Sequence, residues 1–171
     1  RIRVWTAAVG VVVSALEDDF HHFVVTLHHD GAVVTAIDLA AHRWPWDTCP
    51  AGITELQRLV GMPLEPRFTA AGAWTPASRN CTHQFDAASH AITHAAHGRD
   101  ARQYDVEITA HFGRAEHAAE PGTNRLWVDG RLALAWKVRP GHGLVEPEPP
   151  FDAAPWRGGF MRWADATLEP D

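Results

Sequence analysis

"HHFVVTLHHDGAVVTAIDL", residues 21–39, alternates apolar and polar side chains on both sides of a turn-forming tripeptide. Phe23, Val25 and Leu27 share one face of an extended segment with His21, while His22, Val24, Thr26 and His28 take the other. A three-residue loop, His29-Asp30-Gly31, pairs Leu27 with Val33, Phe23 with Ile37 and His21 with Leu39. A two-residue loop would set apolar residues against polar ones, so the longer loop satisfies the pleat. The stretch therefore predicts a β-hairpin with one buried face, and places His21 on that face at its open end. A buried imidazole needs a partner. Either the ring bonds a backbone carbonyl, or it serves as a metal ligand or an acid–base group.

Upstream, Val4–Leu16 reads as an extended apolar segment broken at Gly10. Downstream, Trp44-Pro45-Trp46-Asp47-Thr48 reads as a loop, because residues before proline resist helix. Pro50 suits a helix start and Gly61 its end, with Ile53, Leu56, Leu59 and Val60 on one side. A second loop, 62–79, carries Trp74. The segment "NCTHQFDAASHAITHAAH", residues 80–97, then predicts a helix ending near Gly98. At about 100° per residue, Phe85, Ala88, Ile92, Ala95 and Ala96 form its packing stripe. His83, Asp86, His90, His94 and His97 form the opposite stripe, expected to face solvent. Residues 104–112 alternate again, with Val106, Ile108, Ala110 and Phe112 on one face. Residues 125–138 form a hairpin around Asp129-Gly130, residues 140–155 are proline-rich, and a short terminal helix follows "GGFM". Strands, two main helices and further strands make an α+β fold with an antiparallel sheet. The expected organisation is a single domain over 1–171, with hairpin and helices in 1–98 and a C-terminal sheet extension in 99–171.

The composition narrows the function. The 171 residues carry a net charge of −6 with 15 Lys and Arg against 21 Asp and Glu, which leaves no basic footprint for nucleic acid. No apolar run approaches a membrane span and no signal-peptide pattern stands at the start, so membrane partners are not expected. Two cysteines make no disulfide framework, and a cytoplasmic location is the default expectation. Eight tryptophans against one tyrosine point to a packed core or to a pocket for a small hydrophobic molecule. A homo-oligomer is compatible with all of this.

Both cysteines stand at predicted helix starts: Cys49 directly before Pro50, and Cys81 two residues before His83. A helix N-terminus stabilises thiolate, the form that binds metal. His21, Cys49, Cys81 and His83 thus form a candidate Cys₂His₂ set for one zinc or iron ion. The competing reading is two buried, inert thiols.

The succession of the 23–39 hairpin, Cys49 before a helix ending "LVG", and "NCTHQFDAASHAI" resembles the iron–sulfur cluster assembly scaffolds (the NifU-like fold) over about residues 19–97. The motifs "HHFVVTLHHDG", "WPWDTCP", "LVGMPL", "CTH" and "GGFMRWA" are similar to a bacterial family catalogued as of unknown function. The scaffold resemblance implies that Cys49 and Cys81 converge with the start of the first hairpin strand. Where scaffolds carry a third cysteine, this chain has Asp19, His21 and His22. Two thiolates with imidazoles suit a single bound ion better than an iron–sulfur cluster.

The sequence-level expectation is a metal-dependent lyase, hydratase, isomerase or hydrolase acting on a small hydrophobic carbonyl compound. His21, Cys49, Cys81 and His83 would hold the ion, with His22 or Asp19 as substitutes. His22, Asp38 and Asp19 would serve acid–base chemistry, His22 and Asp38 being paired across the hairpin. Trp44, Trp46 and Trp74 would wall the substrate pocket. The rival expectations are a sulfur- or cluster-carrying assembly factor, and a ligand-binding module with structural cysteines.

Overall fold

A computed structural model describes residues 1–109, 122–139, 143–145, 151–154 and 160–167. Contacts divide the chain into two compact units, Arg1–Gln103 and Tyr104–Asp171. The architecture is α+β, and strands consecutive in the chain pair antiparallel within each unit.

The first unit opens with β1 (Ile2–Ala8) and β2 (Val11–Glu17), so the expected apolar segment is a hairpin. It turns at Gly10, whose φ of 73° suits glycine. A Cβ there would also collide with the His29 carbonyl, because the chain closes Gly10 against the next strand. β3 (His22–His29) and β4 (Val34–Arg43) follow, giving the order β4-β3-β2-β1, with the first residues of β5 (Ala101–Ile108) beyond β1.

The 21–39 hairpin is present, but its register differs from the expected one. Leu27 pairs with Ile37, Val25 with Leu39 and Phe23 with Ala41, a slide of four residues along β4. The cause is a longer loop. The Asp30 carboxylate accepts from the amides of Ala32 and Val33 (2.8 and 2.9 Å), and Gly31 adopts φ 97°. Because four is even, the slide leaves every side chain on its expected face. Phe23, Val25 and Leu27 are fully buried, as the alternation requires.

The expected helix over 50–61 is broken into short turns: a 3-10 turn at Cys49–Gly52, one α-turn, α1 (Ile53–Leu56), and a 3-10 turn at Gln57–Leu59. Leu56 and Leu59 are buried, but Val60 is extended and exposed because the helical run has already ended. Within the second loop, 3-10 turns form at Phe68–Ala73 and Ala77–Arg79. The long helix α2 (Thr82–His97) ends at Gly98 in the left-handed conformation, φ 60°.

α2 lies across one face of the sheet, and the core forms between them. Val4, Val12, Leu16, Val25, Leu27 and Ile37 meet Phe85, Ala88, Ala91 and Ile92, closed from the side by Leu56, Leu59, Met62 and Ala71. The buried arc of α2 is wider than the expected stripe. Ala87, Ala91 and His94 are buried as well, while Ala95 and Ala96 are only partly so. The expectation of a solvated histidine stripe is corrected here. The Phe68–Ala73 turn packs on the helix, with the Phe68 and His90 rings 4.7 Å apart. His94 is enclosed at the helix end beside the backbone of Arg99 and Asp100.

The second unit contains the remainder of β5 with β6 (Gly122–Val128), β7 (Arg131–Arg139) and β8 (Gly143–Val145) in sequential antiparallel order. The hairpin at Asp129-Gly130 is as read, with both residues at positive φ (50° and 77°). The terminal helix is α3 (Phe160–Thr167). Of the expected alternating strand, Val106 and Ile108 lie in β5, whereas Ala110 and Phe112 fall outside the described residues. Most of the proline-rich 140–155 segment also falls outside them.

Candidate metal centre

The site begins with a short loop. After β2, Asp18 turns the chain back into β3. Its Oδ1 accepts from the amides of Phe20 and His21 at 2.8 and 2.7 Å, an Asx-type turn. The turn fixes the carboxylate and points it at the ring of His21, whose Nδ1 lies 2.9 Å from Oδ1 and 3.0 Å from Oδ2. Arg43 locks the loop from β4. One guanidinium nitrogen reaches Glu17 Oε1 at 3.1 Å and donates to the Asp18 carbonyl at 2.6 Å.

The third member arrives from the helix. His83, in the first turn of α2, stacks on His21 with ring centroids 3.6 Å apart and a 23° tilt. Its Nε2 lies 3.3 Å from Asp18 Oδ2. One donor atom from each of Asp18, His21 and His83 thus lies within 4.8 Å of the other two. Ligand bonds of about 2.0–2.1 Å give a tetrahedral edge of about 3.3 Å, close to these carboxylate–imidazole spacings. Two imidazoles sharing one ion keep centroids about 4.5–5.1 Å apart on the same bond lengths. Ion binding would therefore open the His21–His83 stack by about 1 Å.

The electrostatics favour the ligating protonation states. Burial alone would raise the Asp18 pKa, but hydrogen bonds from the Phe20 amide and from His21 outweigh it and hold the carboxyl below its ordinary value. Burial lowers the His83 pKa, and repulsion from His21 lowers it further, with Asp18 opposing only in part. His83 is thus biased toward neutral imidazole, the form that binds metal.

His21 and His83, both expected as ligands, are brought together. Cys49 and Cys81 are unpaired thiols, neither of which belongs to the Asp18–His21–His83 group. Their backbones are nevertheless tied to it. Cys81 is the N-cap of α2, two residues before His83. Gln84, fully buried next to His83, donates from Nε2 to the Cys49 carbonyl at 2.6 Å. Gly52 makes room for that amide, since a Cβ there would fall on the Gln84 side chain. Thr75 and Asn80 brace the approach to Cys81 through a 2.9 Å bond.

The acid–base candidates are placed differently from the expectation. His22 and Asp38 are not partners across the hairpin, because the register slide carries Asp38 opposite Thr26 and His22 opposite Arg43. Asp38 instead meets His28 at 3.3 Å, and His22 packs beside His42. Asp19 is exposed and is not in the ligand group. The residue missed from sequence is its neighbour, Asp18. An aspartate three residues before a histidine, where a strand is about to begin, was the available signal. Trp44, Trp46 and Trp74 do not cap the core: they are 40%, 71% and 42% exposed. Phe20, inside the Asp18–His21 turn, is also exposed.

Comparison with family models, curated proteins and solved structures finds no match to this chain. No helix among the described residues is long and apolar enough to cross a membrane.

Proposed function

We propose that this chain binds one zinc or ferrous ion through Asp18, His21 and His83. The observation that carries this reading is the convergence of two imidazoles on a carboxylate already fixed by backbone amides. An Asx turn alone needs neither histidine, and a stacked imidazole pair alone needs no carboxylate. The scaffold-like expectation of Cys49 and Cys81 as ligands stays within the proposal. Both thiols stand where helical turns begin, and Cys81 is two residues before His83, so a thiolate is kept as an alternative to an open fourth position.

Three protein ligands with an open fourth position is the pattern of catalytic rather than structural zinc. A bound ion of this kind polarises a carbonyl or activates water. The exposed aromatics Phe20, Trp44 and Trp46 belong to the segments that carry Asp18, His21 and Cys49, and supply apolar surface for a small hydrophobic carbonyl compound. On this reading the chain is a metal-dependent lyase, hydratase, isomerase or hydrolase.

The test is elemental analysis of tag-free protein, followed by Co²⁺ substitution. The expected result is about one ion per chain, lost in His83→Ala and in Asp18→Asn. A sulfur-to-cobalt charge-transfer band lost in Cys81→Ser would add the thiolate to the ligand set. Metal content near zero, with no Co²⁺ spectrum on reconstitution, would sink the proposal. A brown chromophore with acid-labile sulfide would favour the assembly-factor reading instead.

A further inference from the structure

We propose that His22 and His42 form a second, independent site for a borderline divalent ion such as Zn²⁺, Ni²⁺ or Cu²⁺, on the sheet face opposite α2. Alternation along β3 separates the two sites. Phe23, Val25 and Leu27 point toward the helix and are fully buried, so His22 points the other way. On β4 the register shifts between His22 and Phe23, which brings His42 alongside His22 at the end of the edge strand. The ring centroids are 4.8 Å apart with a 41° tilt. Two imidazoles on one ion, at bonds of about 2.0–2.1 Å and cis angles between octahedral and tetrahedral, place their centroids about 4.5–5.1 Å apart. The observed spacing falls inside that window without rearrangement, unlike the tighter His21–His83 stack.

The two rings are also available. Neither makes a hydrogen bond or an ion pair among the described residues; each has only the other as its ring contact. By contrast, His21, His28 and His83 all have carboxylate partners. Glu17 stands directly opposite His22 in the β2–β3 register and on the same face, so a carboxylate lies one strand away. Its oxygen is now engaged by Arg43 at 3.1 Å. Adjacent strands fix the two imidazoles side by side, so chelation costs little ordering. His42 is exposed on the edge strand and His22 is half-buried beside it, which leaves the site open on one side. Imidazole ligands select transition ions over Mg²⁺ and Ca²⁺.

The experiment is calorimetric titration of metal-stripped protein with Zn²⁺ at pH 7.5, comparing the unsubstituted chain with His22→Ala, His42→Ala and His83→Ala. The expected isotherm has two steps. His22→Ala and His42→Ala each lose the weaker step and keep the tighter one, while His83→Ala does the reverse. A weaker step that survives His42→Ala, or an unsubstituted chain whose every step is kept in both His22→Ala and His42→Ala, overturns the proposal. The readout also separates the two readings: loss of the weaker step in His42→Ala with no tighter step anywhere leaves this site standing and removes the Asp18–His21–His83 one. Protection of His22 and His42 from diethyl pyrocarbonate by Zn²⁺ reads the same site without a substitution, and no protection of either ring overturns it.

Discussion

His90→Leu should flatten the acid sensitivity of folding by about 2–3 kcal/mol at pH 4.5. His90 sits midway along α2 against Phe68, and burial pushes its imidazole down to about 4 from an ordinary 6.5. Part of its surface is reachable by solvent, but the ring is surrounded mostly by protein atoms, and these penalise the charge. The folded chain therefore holds this proton more weakly than the unfolded chain does. That preference for neutral imidazole contributes fully above about pH 6.5 and is lost as the pH falls toward 4. At pH 4.5 the unfolded side chain is about 99% protonated and the folded one only in minor part, which corresponds to about 2–3 kcal/mol lost relative to pH 7.5. The assay is urea unfolding followed by tryptophan fluorescence at both pH values, in the original chain and the leucine variant. His83 and His94, whose pKa values burial also lowers, and Asp86, whose pKa burial raises, titrate in both proteins. They cancel in the double difference to the extent that they do not couple to His90. An equal loss of stability in both proteins between pH 7.5 and 4.5 would refute the reasoning, because it would show that His90 is protonated in the fold at little cost.

Asp18→Asn keeps an acceptor for the turn amides but removes the charge between the imidazoles. Metal affinity should fall by at least the roughly 10–100-fold that loss of an outer-shell partner costs, as read by chelator competition. Gly52→Ala has no backbone obstacle at φ −58°, yet its Cβ would lie 3.0 Å from the Gln84 Cδ and closer still to its oxygen. The expected cost is about 2–4 kcal/mol from overpacking plus the lost bond to Cys49, and it should shrink in a Gln84→Ala background. Leu27→Ala, at a fully buried position, should cost about 2–5 kcal/mol in chemical denaturation, whereas Trp46→Ala should stay within about 0.5 kcal/mol because the ring is exposed.

The α+β class, the buried face of β3, the end of α2 at Gly98 and the Asp129-Gly130 turn were all legible in the sequence. Each follows from local rules: strict alternation, a left-handed glycine after a helix, and a dipeptide that tolerates positive φ at both positions. The same rules placed His21 on the helix side of the sheet and His83 in the first turn of α2. What they could not supply was distance. The meeting of His21 with His83 depends on how α2 crosses the sheet, a packing outcome set by Phe85, Ala88 and Ile92 against Val25 and Leu27. The β4 register differs by four residues from the alternation-based one because the Asp30 side chain, not the glycine alone, sets the loop length. That difference moved Asp38 away from His22 while leaving every core residue in place, since a side-chain period of two hides an even slip. Helix geometry alone points the histidines of α2 to solvent, but the Phe68–Ala73 turn packs on His90, and no periodicity within α2 reports on a loop outside it. Local patterning determined which face each residue occupies. Only tertiary packing decided which faces meet, and the candidate metal centre lies where two of them do.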